Sequence, residues 1–367
     1  MRRRSHWAAL LLALACEAVA PSGPEVVEAR EIGVLGDSGL IDGRDGGPSA
    51  VLWGHDVWTF GETVLRVPDV DGQNWHHNSF SITADLDASD GISGLHEPLD
   101  AVGAPLYLVP PTPAEKAFND AHLGDPCAQT PCGARWAAWP SAPVYDVDRD
   151  RALIFYGLIY AEPGPFNFEG AGGSIAIWDR LDAVVRRPEI DAGAEHPTLM
   201  FRAGDPSFGI SPHIEGDHLY SFACDEHRGT HVCRIGRVPV EQALDRSAWR
   251  MWGGNDYDAD LEHGTVLFEA APIASITPLP ATGEWLAVYS PPFDTTIVAR
   301  TAPTRTGPWS APSRVYRVPA GEPAPYDAQH HAELAEDGGV VQYVTYSRPT
   351  EGWFGSEFAI VRVELVP

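Results

Sequence analysis

A chain of 367 residues with 44% hydrophobic and 21% charged content has enough apolar material for a sizeable core, which excludes a disordered chain. Its 36 Gly and 33 Pro argue for many turns and few long helices. The formal net charge of -26 excludes nucleic acid and anionic membrane as natural partners and leaves neutral or cationic ones, the bland alternative being that the charge only keeps the protein soluble.

The N-terminus, MRRRSHWAALLLALAC, has a basic start, an apolar run and small residues before Cys16. It reads as an export signal over residues 1–20, too short for a permanent membrane span. Cys16 is a candidate for lipidation, although Ala13 and Leu14 stand in the reverse of the usual lipoprotein order; the alternative is cleavage after Ala20. Residues 21–32 read as a polar tether, and residues 33–367 as one domain. Apart from Cys16, the cysteines fall into two close pairs, Cys127 with Cys132 and Cys224 with Cys233. An even number in an exported chain points to two local disulfides, Cys127–Cys132 and Cys224–Cys233. A zinc site is the competing reading, but neither pair has knuckle spacing. The expected location is extracellular, periplasmic or, if Cys16 is lipidated, outer-membrane.

Residues 43–63, GRDGGPSAVLWGHDVWTFGET, read as a β-hairpin with strands over residues 49–53 and 57–61 and a turn at 54–56. Antiparallel pairing then makes Asp45 and Glu62 neighbours. Two carboxylates on one rim are a candidate acid/base pair. Four later segments repeat the plan of apolar strand, tight polar turn and aromatic-rich strand: residues 142–156, 211–222, 275–289 and 331–346. With a third strand after each hairpin, and outer strands completing some sheets, the expected fold is all-β, a five-bladed β-propeller of mostly four-stranded antiparallel blades. A β-sandwich is the alternative, but it need not repeat one hairpin five times. Residues 113–122 and 240–249 are the best helix candidates.

In a propeller, ligand sites form at one mouth of the central channel. The stretch NWHHNS, residues 74–79, suits a saccharide, since a ring can stack on the sugar face while amide and imidazole groups address hydroxyls. Trp75, His77 and Asn78 are therefore candidate substrate-binding residues, with Trp139 as a second stacking platform. Arg44, Ser211, Gln329 and His331 join them from the same rim. Adjacent histidines point to opposite faces of a strand, so His76 with His77, and His330 with His331, cannot readily share one metal. Glu62 could instead be held by a core arginine such as Arg44 or Arg66. No phosphate loop, HExxH or GxSxG motif occurs. No catalytic metal or cofactor is expected, although channel carboxylates would accommodate a structural calcium ion.

The motifs GRDGG, VWTFGET, WHHNSF, WPSAPVY and YDAQHHAEL together resemble the bacterial propeller family of unknown function that includes endo-D-arabinofuranases, and more broadly the arabinanase and fructosidase type of five-bladed glycoside hydrolase. The resemblance implies hydrolysis of a furanose-containing, arabinan-like polysaccharide or cell-envelope glycan by a monomer, with Asp45 and Glu62 as its catalytic residues. The family's usual second carboxylate is Asp, and Glu reaches one methylene further. That departure makes a non-catalytic carbohydrate- or envelope-binding propeller the alternative.

Overall fold

The computed structural model describes residues 22–36, 39–164, 166–352 and 354–366. The export signal and Cys16 lie outside the described residues. Among those residues, no helix is long and apolar enough to cross a membrane.

Five antiparallel sheets form the blades of a propeller. From the channel outward, blade 1 holds Ile41–Leu52, His55–Leu65 and a third position shared by Trp75–His76 and Ser79–Thr83. Blade 2 holds Arg135–Asp146, Arg151–Ala161, Phe168–Trp178 and Phe201–Arg202. Blade 3 begins with Ile210–Glu215, His218–His227 and Thr230–Pro239 and extends to six strands. Blade 4 is Ser275–Leu279, Glu284–Tyr289, Thr296–Ala302 and Ser313–Arg317. Blade 5 is Tyr326–His330, Val341–Pro349 and Ser356–Leu365, completed by Val26–Val34.

Each inner strand touches the inner strands of the two neighbouring blades, so the ring closes in the order 1-2-3-4-5-1. Apolar clusters fill the seams. Leu52 and Ile82 of blade 1 meet Ile154 and Trp178 of blade 2, and Trp58 and Phe60 meet Tyr343 and Ile360 across the seam with blade 5. Because both faces of a blade are covered, its middle strands read as nearly continuous apolar runs rather than as alternation.

Four expectations change. The stretch over residues 21–32 is not a tether: Val26–Val34 pairs with Ser356–Leu365 as the outermost strand of the last blade and closes the ring with the N-terminal part of the chain. Only one edge of it is paired and much of it is exposed, so no apolar period marks it. The first hairpin is longer than its apolar core and turns at Trp53 and Gly54, with φ of 50° and 78°, the two-residue turn that suits twisted strands. The last hairpin starts earlier, since its inner strand is Tyr326–His330 and Ala332–Leu334 is a 3₁₀ turn. Finally, the helix expected over residues 240–249 is two short 3₁₀ turns. Pro113–His122 is a helix, with Thr112 and Glu115 forming a capping box.

Both disulfides are formed, as an oxidising compartment allows. Cys224–Cys233 ties the second and third strands of blade 3 directly across their ladder.

Candidate active site at the channel mouth

Asp45 and Glu62 face one another inside a bulge of the first hairpin. Arg44 pairs with Thr63 and Gly46 with Phe60, so Asp45 on one strand lies opposite Gly61 and Glu62 on the other. A bulge re-aims side chains and interrupts pairing, and here it brings two acids together. The Asp45 carboxyl is hydrogen-bonded to the backbone N–H of Glu62. Its Oδ1 comes so near Gly61 that a Cβ there would lie 2.4 Å away. Gly61→Ala is therefore expected to keep the fold yet displace Asp45, so that any turnover depending on Asp45 falls on the order of 10²-fold, as it does for shifts of about 1 Å; thermal unfolding and turnover measured together check it.

Inner strands begin at this mouth and second strands return to it, so blades 2 and 5 deliver residues to the same place. Arg135, first residue of the blade 2 inner strand, makes a 2.6 Å ion pair with Glu62. From blade 5, Asp327 accepts a 2.8 Å hydrogen bond from the Gly46 N–H, its backbone held at φ 54°. Gln329 Nε2 donates to the Gly46 carbonyl at 3.4 Å. Tyr326 stands exposed beside this group.

Burial, and then the neighbouring charge of Glu62, push the Asp45 carboxyl up to about 7. The same two causes, with Asp45 as the neighbouring charge, raise Asp327 well above the carboxylate range. Like charges in a site of low polarity cannot all ionise together, so the mouth holds protonated acid near neutral pH, beside a carboxylate paired with arginine. Part of the surface of both Asp45 and Glu62 stays accessible.

Trp75 belongs to this group. Its ring lies 4.5 Å from the Arg135 guanidinium and 5.2 Å from the ring of Phe354. Trp139, half-buried on the blade 2 inner strand, packs edge-on against Phe168 at 5.1 Å.

Five of the expected substrate-binding residues are built into the walls. Arg44 turns into blade 1, where it bonds Glu97 at 3.1 Å and Ser81 at 2.9 Å and lies over Phe60 at 3.5 Å. Asn78 is fully buried; its amide donates to the carbonyls of Val109 and Ala138, and its Oδ1 accepts from the Val109 N–H. His77 meets the backbone of Ala138 and is pushed down to about 3 by burial, hence neutral. Ser211 accepts from the Ile276 N–H at 2.7 Å, fastening blade 3 to blade 4. His331 shares hydrogen bonds with Ser49 at 2.6 Å and Thr345 at 2.8 Å in the seam between blades 1 and 5. Each finds its hydrogen-bond partners inside a wall or seam of the propeller, where a buried polar group must be satisfied, which is why polar residues on an expected rim proved structural. Arg66 pairs with Asp42, so neither of the two arginines expected to hold Glu62 does so.

Sequence reasoning missed Asp327 and Arg135. The signals were present in APYDAQHH, where an acid stands at the start of an inner strand, and in ARWAAWP, where a cation precedes an apolar one. Among the described residues, no group of three or more His, Cys, Asp or Glu is arranged to hold a metal ion.

Residues 176–347 match the DUF4185 family model, a domain of unknown function. The DUF4185 match takes in Asp327 and Gln329 but stops short of Asp45 and Glu62, which lie in blade 1. The chain matches no curated protein sequence. Among solved structures, a putative hydrolase from Bacteroides ovatus is similar over 91% of this chain and 87% of its own, with 12% identity and a TM-score of 0.55. A family 117 glycoside hydrolase of the marine bacterium Zobellia galactanivorans is similar over 92% and 90%, with 10% identity and a TM-score of 0.52. At such identities the likeness is one of fold, and it agrees with the five-bladed ring.

Proposed function

We propose that this DUF4185-containing propeller is an exported glycoside hydrolase acting on a neutral, furanose-containing polysaccharide of arabinan type. The observation that carries the reading is the pairing of two unlike acids in one bulge: Asp45, raised to about 7 by burial and by Glu62, and Glu62, ion-paired with Arg135. Unequal environments for two adjacent carboxyls are what acid-and-base chemistry requires. Asp45 gives its proton to the glycosidic oxygen as the bond to the anomeric carbon breaks. The Glu62 carboxylate attacks that carbon, or takes a proton from the water that does. Asp327, whose carboxyl accepts from the Gly46 N–H, fixes the strand beside Asp45 and is itself kept protonated by burial and by the Asp45 charge. The glycoside hydrolase named among the similar folds and the disulfides support an extracytoplasmic sugar-processing role.

The Arg135–Glu62 pair also favours a second reading, a glycan-binding propeller in which Glu62 is locked and does no chemistry. Reducing-end release from arabinans, arabinogalactan, fructans and xylans separates the two. The hydrolase reading expects one polymer to be cut by the wild-type chain and spared by Glu62→Gln with its fold intact. Release unaffected by Glu62→Gln would place the chemistry elsewhere. No release, with retention on a glycan array, would establish the binder.

A further inference from the structure

In every blade the second and third strands are joined at the carboxylate end of the channel. Three of these five joins carry a phenylalanine in the left-handed region: Phe166 in blade 2, Phe293 in blade 4 and Phe354 in blade 5, with φ of 54°, 61° and 59°. For a bulky side chain this is a genuine outlier that costs stability. Phe166 and Phe293 are 86% and 96% exposed, so burial does not offset that strain. Phe166 and Phe293 are at once strained and exposed, and Phe354, half-buried against Trp75, takes the same backbone form at the same topological position; the recurrence calls for an account outside stability.

Their placement supplies one. Blade 1, with Asp45 and Glu62, lies between blade 5 and blade 2 in the ring. Phe354 and Phe166 therefore flank the carboxylates on opposite sides, and Phe293 extends the arc one blade further. On the blade 5 side the track is continuous with the site, running from Phe354 to Trp75, Arg135 and Glu62. On the blade 2 side, Phe168, two residues past Phe166, packs on Trp139, whose Nε1 has no hydrogen-bond partner among the described residues.

We infer that these loop-tip phenylalanines are stacking platforms for successive sugar rings of one neutral glycan chain, which spans blades 4, 5, 1 and 2 and is cut internally. This rests on the hydrolase reading for the cut, but not for the binding. A sugar's apolar face needs an aromatic surface of this kind, and a ring already in place lowers the ordering cost of binding. The net charge of -26 disfavours a polyanionic glycan.

The test compares Phe166→Ala, Phe293→Ala and Phe354→Ala with the wild-type chain on linear arabinan and on an aryl monoarabinofuranoside. The expected result is a fall in kcat/KM on the polymer of about tenfold for each ring, equivalent to about 1.4 kcal/mol, with the aryl substrate changed less than about twofold and unfolding temperatures unchanged or raised. Equal losses on both substrates, or none on the polymer, would overturn the inference. Should the wild-type chain cut neither substrate, the hydrolase reading fails by itself, and the platforms are then judged by retardation in arabinan-containing gels. Retardation that the alanine variants lose supports them, and its absence or persistence refutes them.

Discussion

Asp45→Asn is expected to cripple hydrolysis and, at pH 7.5, to make the protein more stable. The two effects share one cause. Burial and the adjacent Glu62 hold the carboxyl at about 7 against an ordinary 3.8, so between those values the folded chain keeps a proton that the unfolded chain has lost. For a group raised on folding, the carboxyl costs nothing below pH 4, where both states are protonated. Its cost grows as pH rises from about 4 to about 7 and is constant above. At about 1.4 kcal/mol per unit, the full penalty is on the order of 4 kcal/mol. Asparagine stays neutral at every pH and can still accept the backbone hydrogen bond from Glu62. Urea unfolding should therefore show the variant more stable by about 2–4 kcal/mol at pH 7.5 and nearly equal to wild type at pH 4. Turnover by the wild-type chain should fall as pH rises through about 7, because the acid loses its proton, and in the variant it should drop on the order of 10³-fold. A variant that is inactive but no more stable at pH 7.5 would mean that Asp45 is ordinarily ionised and is not the acid.

Such a site is only partly legible in a sequence, and the reasons are physical. The repeat of hairpins was readable because every blade buries both faces, so its middle strands are apolar and its turns polar. The Asp45–Glu62 pairing was readable because a hairpin fixes which residues face each other. What lies between blades was not. Arg135 reaches Glu62 from 73 residues away, and Asp327 reaches Gly46 from 281; no local period encodes either approach. The same blindness made polar residues near the expected rim look functional. His77, Asn78 and His331 serve as buried fasteners between blades, and a hydrogen-bonding side chain has the same letter in either role. The closing strand Val26–Val34 escaped for the opposite reason, since an edge strand half in solvent carries almost no pattern.

Arg44 shows the cost of that ambiguity and offers the sharpest stability test. It is next to Asp45 in sequence, yet its guanidinium points away into blade 1, where the Glu97 side chain is wholly buried and its own is nearly so. Removing one partner of a buried pair strands the other charge, at roughly 3–5 kcal/mol. Arg44→Ala should thus lose about that much stability in chemical unfolding, and also the contact over Phe60. Replacing both partners by apolar residues of similar volume, Arg44→Met with Glu97→Leu, should recover most of the loss, because neither charge then needs solvating. The catalytic reading distinguishes this from a substrate contact. A substrate-binding arginine would raise KM and leave folding alone, and the double substitution would not restore it. Arg44 acting through the blade should lower the unfolding midpoint with KM unchanged in the surviving folded fraction. If Arg44→Ala proves as stable as wild type, the buried pair is not what fixes the strand that carries Asp45, and the bulge must be held by Gly46, Gly61 and Asp327 alone.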